Sequence, residues 1–157
     1  MKVVDIMVRN VKFCHPDQNL AQVAEIMWNG GCGTLPVLDP QGRLWSIITD
    51  RDIAIALGTR NLKASDVQVA DVAVPRYFAC KANEDIHSAL RTMAAQEVRR
   101  LPVINDEGGL EGILSMDDII LQAKAGSQIN FTDVVNALQT IYRQPLHGQV
   151  AITGAAA

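Results

Sequence analysis

A hydroxyl and a carboxylate three residues apart occur twice in this chain in the same setting. Thr49 and Asp52 lie in Ser46-Ile47-Ile48-Thr49-Asp50-Arg51-Asp52, and Ser115 and Asp118 lie in Gly112-Ile113-Leu114-Ser115-Met116-Asp117-Asp118. Each pair falls where a short apolar run of strand type meets an acidic, helix-forming stretch. At such a corner the hydroxyl closes the strand, and the acid, in the first helical turn, points to the same side. Unpaired amides at a helix N-terminus attract phosphate, a hydroxyl donates to a phosphate oxygen, and a carboxylate accepts two hydrogen bonds from a ribose diol. Together these groups suit a nucleotide. The same residues also fit plain helix N-caps and dipole-matching surface acids. Recurrence at identical spacing, each time after the same hairpin, favours the ligand.

The elements that position these groups are themselves duplicated. An offset of 66 lays residues 5–53 over residues 71–119 without a gap, and the 12 identities among 49 positions gather at turn, core and hydroxyl-plus-carboxylate sites. A repeated unit of this size packs around a pseudo-two-fold axis, which creates equivalent clefts between the halves. Within each repeat, residues 11–14 and 77–80 read as short strands. Leu20, Val23, Ala24 and Met27, and their counterparts Ile86, Ala89, Leu90 and Met93, then recur at helical spacing, with Asp17 and Asn83 as expected N-caps. Leu35-Pro36-Val37 and Leu101-Pro102-Val103 open hairpins that turn at Gly42 and Gly108, where the backbone needs positive φ. A second helix follows each hairpin, with Gly58 or Gly126 expected to close it.

The expected architecture is therefore α/β: two tandem β-α-β-β-α repeats, residues 1–62 and 63–126, related by a pseudo-two-fold axis. Residues 4–7 and 69–72 read as short lead-in helices. In the remaining segment, 127–157, Phe131, Val134, Val135, Leu138, Ile141 and Tyr142 keep helical spacing, and residues 144–157 are expected to fray. The apolar stripe of that C-terminal helix needs a surface, either its own module or a neighbouring subunit.

At these residues the chain resembles a tandem pair of cystathionine-β-synthase (CBS) domains, the Bateman module, over about residues 3–125. The resemblance implies a disc-like module, often a homodimer, that binds adenosine-containing ligands between its repeats. AMP, ADP or ATP come first among these ligands, with S-adenosylmethionine or NAD behind them. It implies transmission of binding to an effector protein, and no catalysis. Carried over by position, Asp52 and Asp118 match ribose-binding aspartates, and Thr49 and Ser115 match phosphate- or ribose-facing hydroxyls. Arg99 and Arg100 match basic residues that hold ligand phosphates, as two guanidiniums beside a cleft can do by bidentate bonds. Lys12 and Phe13, and Phe78 and Ala79, match the wall that meets the adenine. Repeat 1 departs from repeat 2 in having Gly33-Thr34 opposite Arg99-Arg100, and Ser46 where the family prefers glycine, so unequal sites are expected.

Composition narrows the function further. With 14 basic and 17 acidic residues interspersed, the chain lacks the one-sided basic field that nucleic acid binding needs. No apolar run approaches the roughly 18 to 20 residues of a membrane span, and the N-terminus lacks a signal peptide's pattern, so a cytoplasmic, soluble chain without membrane insertion is expected. Cys14, Cys32 and Cys80 show no CxxC spacing and read as small apolar thiols, and His15, His87 and His147 share no metal-ligand spacing. Gly30-Gly31-Cys32-Gly33 follows a helix instead of opening one and reads as a turn. Trp28 and Trp45 have no counterparts in repeat 2, and the expected readings are a contact special to repeat 1, for Trp45 on a dimer face or near the cleft, or plain half-buried packing. No nucleophile with an adjacent base is evident, so an enzyme is not expected. The remaining rival to a nucleotide sensor is a structural interaction or dimerisation module with vestigial clefts.

Overall fold

The computed structural model describes residues 1–143. The expected frayed segment 144–157, His147 included, lies outside the described residues. Repeat 1 consists of α1 (Leu20–Gly30), β1 (Thr34–Leu38), β2 (Leu44–Thr49) and α2 (Asp50–Arg60). Repeat 2 consists of α3 (Ile86–Ala95), β3 (Arg100–Ile104), β4 (Leu110–Ser115) and α4 (Met116–Gln122), and α5 (Phe131–Tyr142) follows. Each hairpin is a separate antiparallel sheet with the same register, Thr34 facing Thr49 and Arg100 facing Ser115. Gly42 and Gly108 turn the hairpins at φ 78° and 83°, as expected.

Three expectations are corrected. The first strand of each repeat shrinks to one bridging residue, Cys14 beside Val37 and Cys80 beside Val103, both parallel. The Cys14 amide donates to the Pro36 carbonyl at 3.0 Å, and the Leu38 amide donates to the Cys14 carbonyl at 2.9 Å. The next amide in register would be that of Pro16, which has none, and the His15 ring Nδ1 meets the Leu38 carbonyl instead at 2.9 Å. In repeat 2, the corresponding Ala82 turns its carbonyl to the Val4 amide at 2.9 Å.

The N-caps are Asn19 and Asp85, not Asp17 and Asn83, because each helix starts at the first residue of its apolar stripe and the cap is the residue just before it. Asn19 Oδ1 accepts from the Gln22 amide at 2.9 Å, and Gln22 returns the bond to the Asn19 amide at 3.0 Å. Asp85 accepts from the His87 amide at 2.9 Å. At the other ends, α2 runs through Gly58 to Arg60 and is closed by Asn61 at φ 52°, while α4 stops at Gln122 and Gly126 lies in the turn beyond. A glycine inside a helix costs only about 1 kcal/mol, and asparagine tolerates the left-handed cap.

The two cores exchange their lead-ins. Val3 and Met7, from the 3-10 turn at Val3–Asp5 and just after it, are buried among the side chains of repeat 2. Val67, Val69 and Ala73, around the turn at Val69–Asp71, are buried among those of repeat 1. Backbone bonds fix this crossing: the Val3 amide donates to Glu84, and the Leu20 amide donates to Val67. Each repeat is thereby completed by the segment that precedes the other. α5 lays Val134, Ala137 and Ile141 into the core of repeat 2, so part of the C-terminal helix uses its own module, while Phe131, Val135 and Tyr142 of the expected stripe stay exposed.

Candidate functional site

The hairpins meet at their tips, where the Leu44 amide donates to the Gly108 carbonyl at 2.9 Å. A cleft of about 440 Å³ lies between the repeats. Eight of its twelve lining residues are equivalent pairs, Gly33 with Arg99, Thr34 with Arg100, Pro36 with Pro102 and Ile47 with Ile113, so it straddles the pseudo-two-fold axis, while Thr49, Asp50, Arg51 and Val98 line it without their counterparts. The strand register explains the selection. Thr34 faces Thr49 and Pro36 faces Ile47, and residues two apart on a strand share a face. That face carries apolar side chains in its middle and hydroxyls at its end.

Around these side chains stand Arg51, Arg99 and Arg100 with the carboxylate of Asp50, and Arg100 Nη2 lies 3.9 Å from the carboxylate of Asp117, which does not line the cleft. In a chain of net charge −3 this is a local concentration of positive charge, and a concave wall strengthens its pull on an anion. The repeats supply different parts of it. The Asp50 amide donates to the Gly33 carbonyl at 3.0 Å, and the Met116 amide donates to the Arg99 carbonyl at 2.8 Å, so the two corners are built alike. A Cβ on Gly33 would come within 2.5 Å of Asp50 Oδ2, so the glycine makes room for the acid. Repeat 2 instead buries Met116 and puts Arg99 at the cleft.

Of the residues expected from sequence, Thr49, Arg99 and Arg100 line this cleft. Ser115 stands across the strand pair from Arg100. The hydroxyl–carboxylate pairs form capping boxes. Asp52 Oδ2 accepts from the Thr49 amide at 2.9 Å and from its hydroxyl at 2.7 Å, and Thr49 Oγ1 accepts from the Asp52 amide at 3.1 Å. Asp118 Oδ2 repeats this with Ser115 at 2.8 and 2.5 Å, and Ser115 Oγ accepts from the Asp118 amide at 3.1 Å. The bonds to the carboxylates all use Oδ2. Among the described residues, Oδ1 of each aspartate takes no hydrogen bond.

Asp52, Ser115 and Asp118 are half-buried and do not line the axial cleft. Nor do Lys12, Phe13, Phe78 and Ala79, which lead into the bridging cysteines. Lys12 runs its stem beside Gly30, Phe13 is exposed and edge-on to His15 at 5.5 Å, Ala79 is half-buried, and Phe78 packs on the core of repeat 2 under the Arg76 guanidinium at 5.7 Å. Residues not expected at a site are Thr34, Asp50, Arg51 and the apolar quartet Pro36, Ile47, Pro102 and Ile113. Period-two alternation along each hairpin is the signal that marks the quartet. A second hollow, of about 460 Å³, lies beside α1 and α2 around Ala24, Met27, Trp28, Cys32 and Ile53, and shares Gly33 and Asp50 with the cleft. Gly31 closes α1 at φ 59°, which makes the glycine run a helix-ending turn. Trp45 packs half-buried on the core of repeat 1. No group of His, Cys, Asp and Glu able to hold a metal occurs among the described residues, and no helix there is long and apolar enough to cross a membrane.

Comparison with known proteins gives a consistent family. The model of the CBS domain matches residues 3–59 and 69–124. The CBS domain-containing protein YhcV of Bacillus subtilis is 30% identical over 145 residues, covering 92% of this chain and 98% of that protein. Inosine-5'-monophosphate dehydrogenase of Methanocaldococcus jannaschii is 32% identical over 125 residues, 78% of this chain, and the chain spans only 24% of that enzyme's length. Among solved structures, Hypoxic Response Protein I with two coordinated zinc ions has a TM-score of 0.71 at 30% identity, covering 79% of this chain and 100% of the other. The CBS domain pair of protein MJ0100, solved with 5'-methylthioadenosine and S-adenosyl-L-methionine, has a TM-score of 0.70 at 23% identity, covering 77% and 94%.

Proposed function

The chain belongs to the CBS-domain family as a tandem pair, and from that premise we propose that it is a non-catalytic regulatory module which binds an adenosine-containing nucleotide, of the AMP, ADP or ATP class, between its repeats. The observation that carries this reading is the axial cleft, with Arg51, Arg99 and Arg100 set around an apolar middle of Pro36, Ile47, Pro102 and Ile113. Guanidiniums take phosphate oxygens in bidentate fashion. Thr49 lines the same wall, and its hydroxyl, which donates to Asp52 Oδ2, reaches the anion only by leaving that bond. Asp52 and Asp118 offer Oδ1 to a ribose diol while Oδ2 keeps the helix capped. The backbone flanking Lys12-Phe13 and Phe78-Ala79 is assigned to the adenine. The adenosine compounds in the MJ0100 pair support the ligand class.

Function then follows from differential binding. A nucleotide held by both repeats favours one mutual orientation of the two hairpins, and an effector protein, or a second copy in a homodimer, that prefers the same orientation feels a coupling of typically about 1 to 3 kcal/mol. The capping boxes favour a second reading, an interaction module with vestigial clefts, because they give Thr49, Asp52, Ser115 and Asp118 a structural role without any ligand. The deciding experiment is mass spectrometry of small molecules released from protein purified without added nucleotide, joined to thermal unfolding with AMP, ADP, ATP, S-adenosylmethionine and NAD. A ligand at about 100 times its Kd adds about 2.7 kcal/mol to native-state stability. Absence of any co-purified nucleotide together with an unchanged Tm at millimolar ligand would leave the interaction module standing.

A further inference from the structure

Arg99 faces two ways. It lines the axial cleft, and its Nη1 donates to the Tyr142 hydroxyl at 3.3 Å, a contact that spans 43 residues of sequence. Tyr142 is the last residue of α5, a helix that lies wholly outside the two matched domain copies. We infer that Arg99 and Tyr142 form a latch through which a phosphate entering the cleft releases the last turn of α5; this rests on the nucleotide reading above and adds the route by which occupancy leaves the site.

Tyr142 lies just past the last anchored residue of the helix. Val134, Ala137 and Ile141 are buried on the core of repeat 2, and at the start of the helix Asp133 Oδ2 lies 3.5 Å from His87 Nε2 on α3. The Tyr142 side chain is 62% exposed, so packing contributes little to its position and the hydroxyl contact with Arg99 is what ties it to the cleft. A phenol is a neutral acceptor, whereas a phosphate oxygen carries charge and forms the stronger bond with a guanidinium. A bidentate grip through Nη1 and Nη2 claims the donor that Tyr142 holds, so a phosphate taken on that edge of the guanidinium withdraws Nη1 from Tyr142. Repeat 1 has Gly33 at the equivalent position and offers no second latch. The coupling is reciprocal: whatever draws Tyr142 away frees Arg99 and tightens phosphate binding by the same factor.

Two measurements on the full chain test the latch. Hydrogen exchange reads the last turn of α5, where the Arg143 amide donates to the Gln139 and Thr140 carbonyls. Without ligand, Tyr142→Phe and Arg99→Ala should both speed exchange there, and ATP should speed it in the parent chain but not further in Tyr142→Phe. Calorimetry should show ATP binding to Tyr142→Phe about three- to fivefold tighter than to the parent, the worth of one solvent-exposed hydrogen bond, with adenosine binding unchanged. Equal ATP affinities for parent and Tyr142→Phe, or exchange in α5 that ignores ATP, would overturn the latch alone. Failure of AMP, ADP and ATP all to bind the parent chain would overturn the nucleotide reading, and the latch with it.

Discussion

A Cβ placed on Gly112 would stand 2.6 Å from the carbonyl oxygen of Val8. Val8 belongs to the segment that crosses from the start of the chain to repeat 2, and it exchanges two backbone bonds of 2.9 Å with Ile113. The equivalent residue in repeat 1, Ser46, is fully buried, and its hydroxyl donates to the carbonyl of Val74, the equivalent of Val8. One repeat therefore closes its crossing through backbone contact and the other through a side chain. Gly112→Ala is expected to lower stability by about 1 to 3 kcal/mol, because a backbone atom is the obstacle. Ser46→Ala should cost about 1 kcal/mol through the unpaired carbonyl. Calorimetric unfolding of the two variants checks both, and an unchanged Tm for Gly112→Ala would show that the crossing can give way.

The capping boxes give Asp52 and Asp118 a measurable role in stability apart from any ligand. Asp52→Ala and Asp118→Ala each remove an acceptor of both an amide and a hydroxyl, so each should lower stability by about 0.5 to 2 kcal/mol. If Oδ1 also holds a ribose, adenosine affinity falls as well. The losses should be unequal, since the repeats put different charges beside the two corners, and equal losses by calorimetry would count against asymmetry. Stability that falls while affinity holds would place these residues in the caps alone.

Arg99→Ala and Arg100→Ala should separate phosphate from nucleoside. Each is expected to weaken ATP binding by about tenfold or more, the range for a charged hydrogen bond of about 1.5 to 3 kcal/mol, and to leave adenosine within about twofold. Raising ionic strength should weaken ATP binding to the parent more than to either variant, because the rim is exposed and screened by salt. Titrations at low and high salt provide the check.

The duplicated unit, both hairpins and the hydroxyl–carboxylate corners could be read from sequence because each rests on local spacing: Leu-Pro-Val before a glycine turn, then a hydroxyl and an acid three residues on. Composition suggests a strand at Val11 to Cys14, but in repeat 1 the next rung depends on an amide that Pro16 lacks; repeat 2 has that amide at Ala82, and no local pattern shows that its first strand also stops at one bridge. The N-caps were placed two residues early because the first apolar residue of each stripe is itself the first helical residue. No local pattern tells that Val3 enters the core of repeat 2 or Val69 that of repeat 1, since either core accepts a valine. At the cleft, Arg99 and Arg100 are marked by their position in the family resemblance, with which their charge agrees. Thr34, Asp50 and Arg51 emerge only when the two hairpins face each other, and the Arg99 contact with Tyr142 joins parts of the chain that no repeat pattern links.

The buried thiols make the last prediction, which concerns alkaline pH. Burial pushes Cys14 up to about 12, and burial followed by the nearby Glu84 carboxylate pushes Cys80 up to about 12, from an ordinary value of 9.0. Below about pH 9 both folded and unfolded chains keep these protons. Between about 9 and 12 the unfolded chain releases them while the folded chain retains them, so unfolding gains and stability falls as pH rises, levelling off above about 12. Urea midpoints should therefore drop from pH 8 to pH 11, and the drop should be shallower in a Cys14→Ala, Cys80→Ala double variant. The same burial withholds both thiols from reagents. At pH 8 the native chain should react quickly at Cys32, which is half-exposed, and at Cys14 and Cys80 only after unfolding. Three fast thiols in the native chain would contradict the buried placement of the cysteines that bridge to Val37 and Val103.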